Sequence, residues 1–223
     1  MTHKPYEITG GIYLVINPAI EITVLLDKLA SALAGGIKVV QIWNNWPPDI
    51  NKLGLIEKIA RLCIPYQVPL LINQEWPLLL QTHLLQGVHF DDIHPGYEAI
   101  KEAVGRPFLA GITSSDSTRN AIWAHENGLD YISFCSMFPS PSAGSCDIVM
   151  PATVREARKL TQLPIFVSGG ITPENITSLK KETPFDGVAV ISGLLSADNP
   201  KQKVQEYKNA LGINNNNYEI KNH

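Results

Sequence analysis

Eight times along this chain a short apolar run rich in β-branched residues gives way to a longer stretch of helical periodicity. The runs are Gly11 to Ile16, Val39 to Ile42, Leu70 to Ile72, Gly87 to Phe90, Phe108 to Ile112, Tyr131 to Phe134, Ile165 to Ser168 and Gly187 to Ile191. They do not alternate strictly between apolar and polar residues, which suits strands covered on both faces by helices. The segments between them carry helix punctuation. Ile22 to Ala34 stops at Gly35-Gly36, Asn51 to Ile64 stops before Pro65, and Thr172-Pro173-Glu174 opens a segment reaching Lys181. Eight βα units of about 25 residues each, with no compositional break, imply an α/β fold of one (β/α)8 TIM barrel over residues 1–212. An open doubly wound sheet is the alternative, and the even spacing fits closure better. Gly212 closes the last helix-like stretch, and Asn214-Asn215-Asn216-Asn217 marks residues 213–223 as a polar tail expected to be disordered.

Composition narrows the function classes. Of 223 residues 44% are hydrophobic and 17% charged, and 18 Lys plus Arg against 21 Asp plus Glu leave a net charge of −3. That balance argues against a basic nucleic-acid binder. Cys63, Cys135 and Cys146 form no CxxC, so neither a disulfide framework nor a zinc ribbon is signalled, and a reducing, cytoplasmic location is expected. Met1 to Tyr6 lacks the apolar core of a signal peptide, and no run approaches the roughly 18 apolar residues of a membrane span. Small molecules are the expected partners, with a homo-oligomer left open.

In such barrels the chemistry sits just after each strand, where the βα loops converge. Strand 7 ends in Ser168-Gly169-Gly170 before Ile171-Thr172-Pro173-Glu174-Asn175 starts a helix, and strand 8 ends in Ile191-Ser192-Gly193. Glycines let backbone N–H groups approach an anion, and a helix N-terminus adds partial positive charge, so Gly169, Gly170, Ser192 and Gly193 are candidate phosphate ligands. The competing reading is that they only form tight turns. Loop 6, from Cys135 to Asp147, is rich in small and hydroxyl residues, which suits a lid offering Ser140 and Ser142 as donors or a plain surface loop.

The ordered set of motifs resembles the thiamine phosphate synthase family, which includes the related thiazole tautomerases. It runs from about Gly11 to Leu211. Its carriers are Ile12-Tyr13-Leu14-Val15, Gly35-Gly36-Ile37-Lys38-Val39-Val40-Gln41, Pro69-Leu70-Leu71-Ile72-Asn73, Gly87-Val88-His89-Phe90, Asp130-Tyr131-Ile132, Phe138-Pro139-Ser140-Pro141-Ser142, Ser168-Gly169-Gly170-Ile171 and Asp186-Gly187-Val188-Ala189-Val190-Ile191-Ser192. The resemblance implies joining of hydroxymethylpyrimidine pyrophosphate to thiazole phosphate with release of pyrophosphate, assisted by Mg2+. It places Gln41 on the pyrimidine, Asn73 at the pyrophosphate, Thr113 where the family's Ser-x-His begins after strand 5, and Gly169, Gly170, Ser192 and Gly193 at the thiazole phosphate, with Gln41, Asn73, Thr113 and His89 as the candidate catalytic residues.

Against that pattern the sequence departs in an instructive way. The family's Gln-x-Arg-x-Lys reads Gln41-Ile42-Trp43-Asn44-Asn45, removing both cations. The two metal-holding aspartates fall on Gln74 and His94, the histidine after strand 5 on Ser115, and the loop 6 lysine on Ala143. The βα loops, taken as 17–21, 43–50, 73–76, 91–97, 113–117, 135–149, 169–175 and 192–199, contain no Lys or Arg but nine acids. Glu21, Asp49, Asp116, Glu174 and Asp198 read as caps of helix first turns, leaving Glu75, Asp91, Asp92 and Asp147 for the mouth. A pyrophosphate of about three negative charges needs cations that such loops do not supply, whereas a monophosphate on backbone amides needs far fewer.

A cluster of His89, Asp91, Asp92 and His94 offers mixed oxygen and imidazole ligands, with Asp92 and His94 as candidate metal ligands; solvated loop residues are the alternative. His89 is also the candidate base for a tautomerase-like isomerisation, against a packed strand role. Trp43 and Trp46 offer aromatic stacking, or a seal on a loop or oligomer contact. Three functions therefore compete: a synthase, a thiazole tautomerase-like isomerase, and a non-catalytic binder of phosphorylated ligands.

Overall fold

A computed structural model describes residues 5–115, 117–139 and 148–213. Eight parallel strands close in sequence order into a barrel, the first pairing with the last. They are β1 (Gly11–Ile16), β2 (Val39–Ile42), β3 (Leu70–Asn73), β4 (Gly87–Phe90), β5 (Leu109–Ser114), β6 (Tyr131–Phe134), β7 (Ile165–Ser168) and β8 (Gly187–Val190). Between and after them run α1 (Ile22–Gly35), α2 (Lys52–Cys63), α3 (Leu78–Gln81), α4 (Tyr97–Val104), α5 (Arg119–Glu126), α6 (Pro151–Leu160), α7 (Pro173–Glu182), α8 (Ser192–Leu195) and α9 (Pro200–Leu211). The (β/α)8 architecture is the one expected from the alternation of apolar runs. Two boundaries move in ways that matter: β3 extends to Asn73 and β5 to Ser114. Asn73 and Thr113 are thus held by strand backbone rather than by loops.

Local signals explain the helix ends. Glu21 accepts from the Thr23 and Val24 amides at the start of α1, Asn51 from Gly54 N–H at α2, and Asn199 from Gln202 N–H at α9. Thr172 and Asn175 form a reciprocal capping box on α7. Gly36 and Gly212 end α1 and α9 in left-handed conformation.

Two apolar layers result from the pleat. Outward-facing residues such as Ile12, Leu14, Val40, Ile72, Val88 and Ile132 pack against the helices. Inward-facing Tyr13, Val39, Leu71, Leu109, Tyr131, Phe166 and Ala189 fill the barrel. Tyr13, Tyr131 and Phe166 meet with centroids 5.4 to 5.6 Å apart in tilted or edge-on arrangements. Two glycines make that fit possible. A Cβ on Gly111 would lie 2.1 Å from Tyr131 Cζ, and one on Gly187 2.4 Å from Phe166 Cε1. Among the described residues, no helix is long and apolar enough to cross a membrane.

Candidate active site

Where the strands end, the barrel opens into a cavity of about 610 Å³. Its wall follows from the two-residue period of the strands: Tyr13 and Val15, Gln41 and Trp43, His89 and Asp91, Thr113 and Ser115, and Ser133 and Cys135 all face it in pairs. Gln41, Asn73, His89 and Thr113 are brought together on its floor, and Gly169, Gly170, Ser192 and Gly193 on one side. Ser140 and Ser142 lie outside the described residues, as does Asp147.

The floor is wired by hydrogen bonds. Tyr13 donates its hydroxyl proton to Gln41 Oε1, and its oxygen lies 2.7 Å from the Tyr131 hydroxyl. Tyr131 Oη is 2.9 Å from His89 Nδ1, and His89 Nε2 is 2.9 Å from Thr113 Oγ1. Asn73 Nδ2 donates to Asp91 Oδ1 at 2.8 Å and to the His89 carbonyl at 3.3 Å. Burial drives the His89 imidazole down to about 4, with the nearby Asp91 carboxylate opposing, so the ring is neutral near pH 7. Burial likewise raises both tyrosine hydroxyls, which stay protonated.

Both His89 ring nitrogens are thus engaged by hydroxyls of the floor. A general-base role for His89 would require one of these contacts to open, and burial disfavours the protonated ring. Tyr13 and Tyr131 were missed as site residues by motif reasoning. Their signal is the inward register two residues before Val15 and before Ser133, which becomes readable once the barrel closes.

On the side formed by the loops after β7 and β8 the glycines have a clear physical cause. Gly169 and Gly170 sit at φ +77° and +63°, and added Cβ atoms would stand 1.8 Å from Ser136 Oγ and 2.7 Å from Phe138 Cβ. A Cβ on Gly193 would stand 2.3 Å from the Tyr207 hydroxyl, which itself donates to Ile171 O at 2.8 Å. Close packing of the loops leaves peptide groups as the cavity wall.

The acids sort differently from expectation. Of the four assigned to the mouth, Asp91 alone lines the cavity among the described residues. Glu75 instead takes Lys52 at 2.6 Å, while Lys52 Nζ also stands 5.2 Å from the Trp46 ring centroid. Asp92 caps Ile93 N–H at 2.8 Å and lies 3.7 Å from Arg119. Lys52 and Arg119 open α2 and α5 immediately beyond the loops, so counting loop residues overlooked them. Trp43 faces the cavity, whereas Trp46 packs against the core. No Lys or Arg among the described residues lines the cavity.

The proposed metal ligands are not gathered. Asp92 and His94 do not line the cavity, and His94 Nδ1 accepts from Gly96 N–H at 3.2 Å while its ring packs on Phe90. Among the described residues no group of three His, Cys, Asp or Glu side chains converges. With glutamine and histidine at the two implied aspartate positions and one carboxylate on the wall among the described residues, that donor set does not fit a two-carboxylate Mg2+ site.

A closed barrel with a polar-floored, glycine-walled cavity at its strand C-termini has the form of a barrel enzyme acting on a phosphorylated small molecule. The sequence matches the family model described as Thiamine monophosphate synthase over residues 12–194. It is 32% identical over 182 residues to the thiamine-phosphate synthase of Nitrosococcus oceani, covering 82% of this chain and 83% of that one. It is 28% identical over 211 residues to the Clostridium perfringens enzyme of the same name, covering 95% and 99%. In fold it resembles thiamine phosphate pyrophosphorylase from Pyrococcus furiosus, with a TM-score of 0.75, 20% identity, and 91% and 95% of the two chains covered. The chain belongs to the thiamine monophosphate synthase family.

Proposed function

We propose that this protein joins a hydroxymethylpyrimidine pyrophosphate to a thiazole phosphate, forming thiamine phosphate. The observation that carries this reading is the juxtaposition of a neutral polar floor and a backbone-walled side in one cavity. The floor, through Gln41, suits a heteroaromatic ring, and the peptide groups around Gly170 and Ser192 suit a monophosphate. In the reaction the thiazole nitrogen lone pair forms a bond to the pyrimidine methylene carbon. The methylene–oxygen bond breaks, and its electrons leave with pyrophosphate. The chain's part is to align the two rings and exclude water, with Trp43 available to stack on either. Mg2+ is the cofactor implied by the resemblance.

Incubation of the protein with both substrates and Mg2+ should release pyrophosphate, and none released beside a competent control would overturn this reading. Thiamine phosphate should raise the thermal midpoint by mass action. In Ser192→Glu, a carboxylate placed against the phosphate should weaken that binding at least tenfold. An unchanged thermal shift would mean that the phosphate sits elsewhere.

A second reading, binding of thiamine phosphate without turnover, is favoured by one observation. No Lys or Arg among the described residues reaches the cavity to offset a pyrophosphate. A thermal shift without pyrophosphate release would select it.

A further inference from the structure

Proton counting gives the floor a direction. A hydroxyl carries one proton and a neutral imidazole one N–H. Tyr13 spends its proton on Gln41 Oε1, so across the 2.7 Å contact Tyr131 is the donor. Tyr131 then has only a lone pair for His89, and the imidazole proton must sit on Nδ1. Nε2 is left as an acceptor, and the Thr113 hydroxyl donates to it. Every proton in the chain points the same way, from Thr113 through His89, Tyr131 and Tyr13 to Gln41.

The two ends of that chain face the cavity, and their polarity follows from it. With Oε1 occupied, Gln41 offers its Nε2 donors to a ligand. With its proton committed to His89, Thr113 offers lone pairs. Asn73 agrees, because Asp91 and the His89 carbonyl hold its Nδ2 and leave Oδ1 as the acceptor.

We propose that Tyr13, Tyr131 and His89 are positioning residues that lock the cavity floor into one donor and acceptor pattern, selecting a ring that accepts a hydrogen bond at Gln41 and donates at Asn73 or Thr113. A 4-aminopyrimidine has such an edge, with a bare ring nitrogen beside an amino group. A 4-oxopyrimidine presents the reverse, an N–H beside a carbonyl, and would leave buried groups unpaired. The choice of pyrimidine rests on the proposed function; the direction of the chain does not.

Two measurements separate these layers. In protein labelled with ¹⁵N-histidine, long-range ¹H–¹⁵N correlations should find His89 protonated on Nδ1 and bare on Nε2, the signal being assigned by its loss in His89→Gln. Tyr131→Phe removes the acceptor and should move the proton to Nε2. Calorimetry with 4-amino-5-hydroxymethyl-2-methylpyrimidine and its 4-oxo counterpart should give a preference of roughly 100-fold for the amino compound in the wild type. That preference should fall below about tenfold in Tyr131→Phe. Thr113→Ser, which keeps the hydroxyl, should retain the preference, and Thr113→Val should lose it, a comparison that holds if Tyr131→Phe folds poorly.

A wild-type Nε2–H imidazole overturns the lock whatever binds. An unchanged preference in both Tyr131→Phe and Thr113→Val overturns its role in selection. An Nδ1–H wild type that binds neither pyrimidine overturns the selective role together with the proposed function.

Discussion

Phe166→Ala is expected to lower the free energy of unfolding by about 3–5 kcal/mol, the range for deleting a fully buried aromatic side chain. Phe166 has no exposed surface and stands edge-on to both Tyr13 and Tyr131 inside the barrel. Those neighbours are pinned, Tyr13 to Gln41 and Tyr131 to His89, so they cannot swing into the space without breaking buried hydrogen bonds. The cost should therefore lie towards the upper end. Urea denaturation measures it directly, and a loss below about 1.5 kcal/mol would mean that the interior collapses around the deletion, contrary to the pinned arrangement.

Acidification should destabilise the fold through His89. The folded-state value of about 4 lies below the unconstrained 6.5, so between these pH values the unfolded chain binds a proton that the native chain refuses. Stability attributable to His89 is complete above pH 6.5 and drains away as pH falls through about 4. The total is about 3 kcal/mol for a shift of this size. Other groups titrate in the same range, and the comparison with His89→Gln isolates the effect. The stability gap between wild type and variant should shrink as pH drops from 7 to 4. A gap constant over that range would show that His89 titrates alike in both states.

Much of the barrel was legible because burial on both faces forces β-branched apolar runs, and helix ends carry their own chemistry at Glu21, Asn51 and the Thr172 box. The site was legible in part. Gln41, Asn73, His89 and Thr113 are strand-end polar residues in otherwise apolar runs, which makes them conspicuous. Tyr13 and Tyr131 are not, since a tyrosine in a strand reads equally as core, and their contact joins positions 118 apart in sequence. Only the inward register and the closure of the sheet bring them together. Glu75 and Asp92 were misplaced for a different reason: their partners Lys52 and Arg119 belong to helix starts, and a loop-by-loop charge count stops just short of them.

The hydroxyl of Tyr207, on the last helix, ties down Ile171 and abuts Gly193, while the first strand pairs with the eighth through Gly11 and Gly187. The cavity wall is thus assembled from the first and last elements of the barrel. Of the eight strands β1 is made first and β8 last, so the outer edge of β1 is covered only when β8 pairs with it, and the loop tied by Tyr207 is set only when α9 docks. A ligand that fills this cavity therefore contacts parts of the barrel far apart in sequence at once, and its binding free energy adds to the stability of the completed fold.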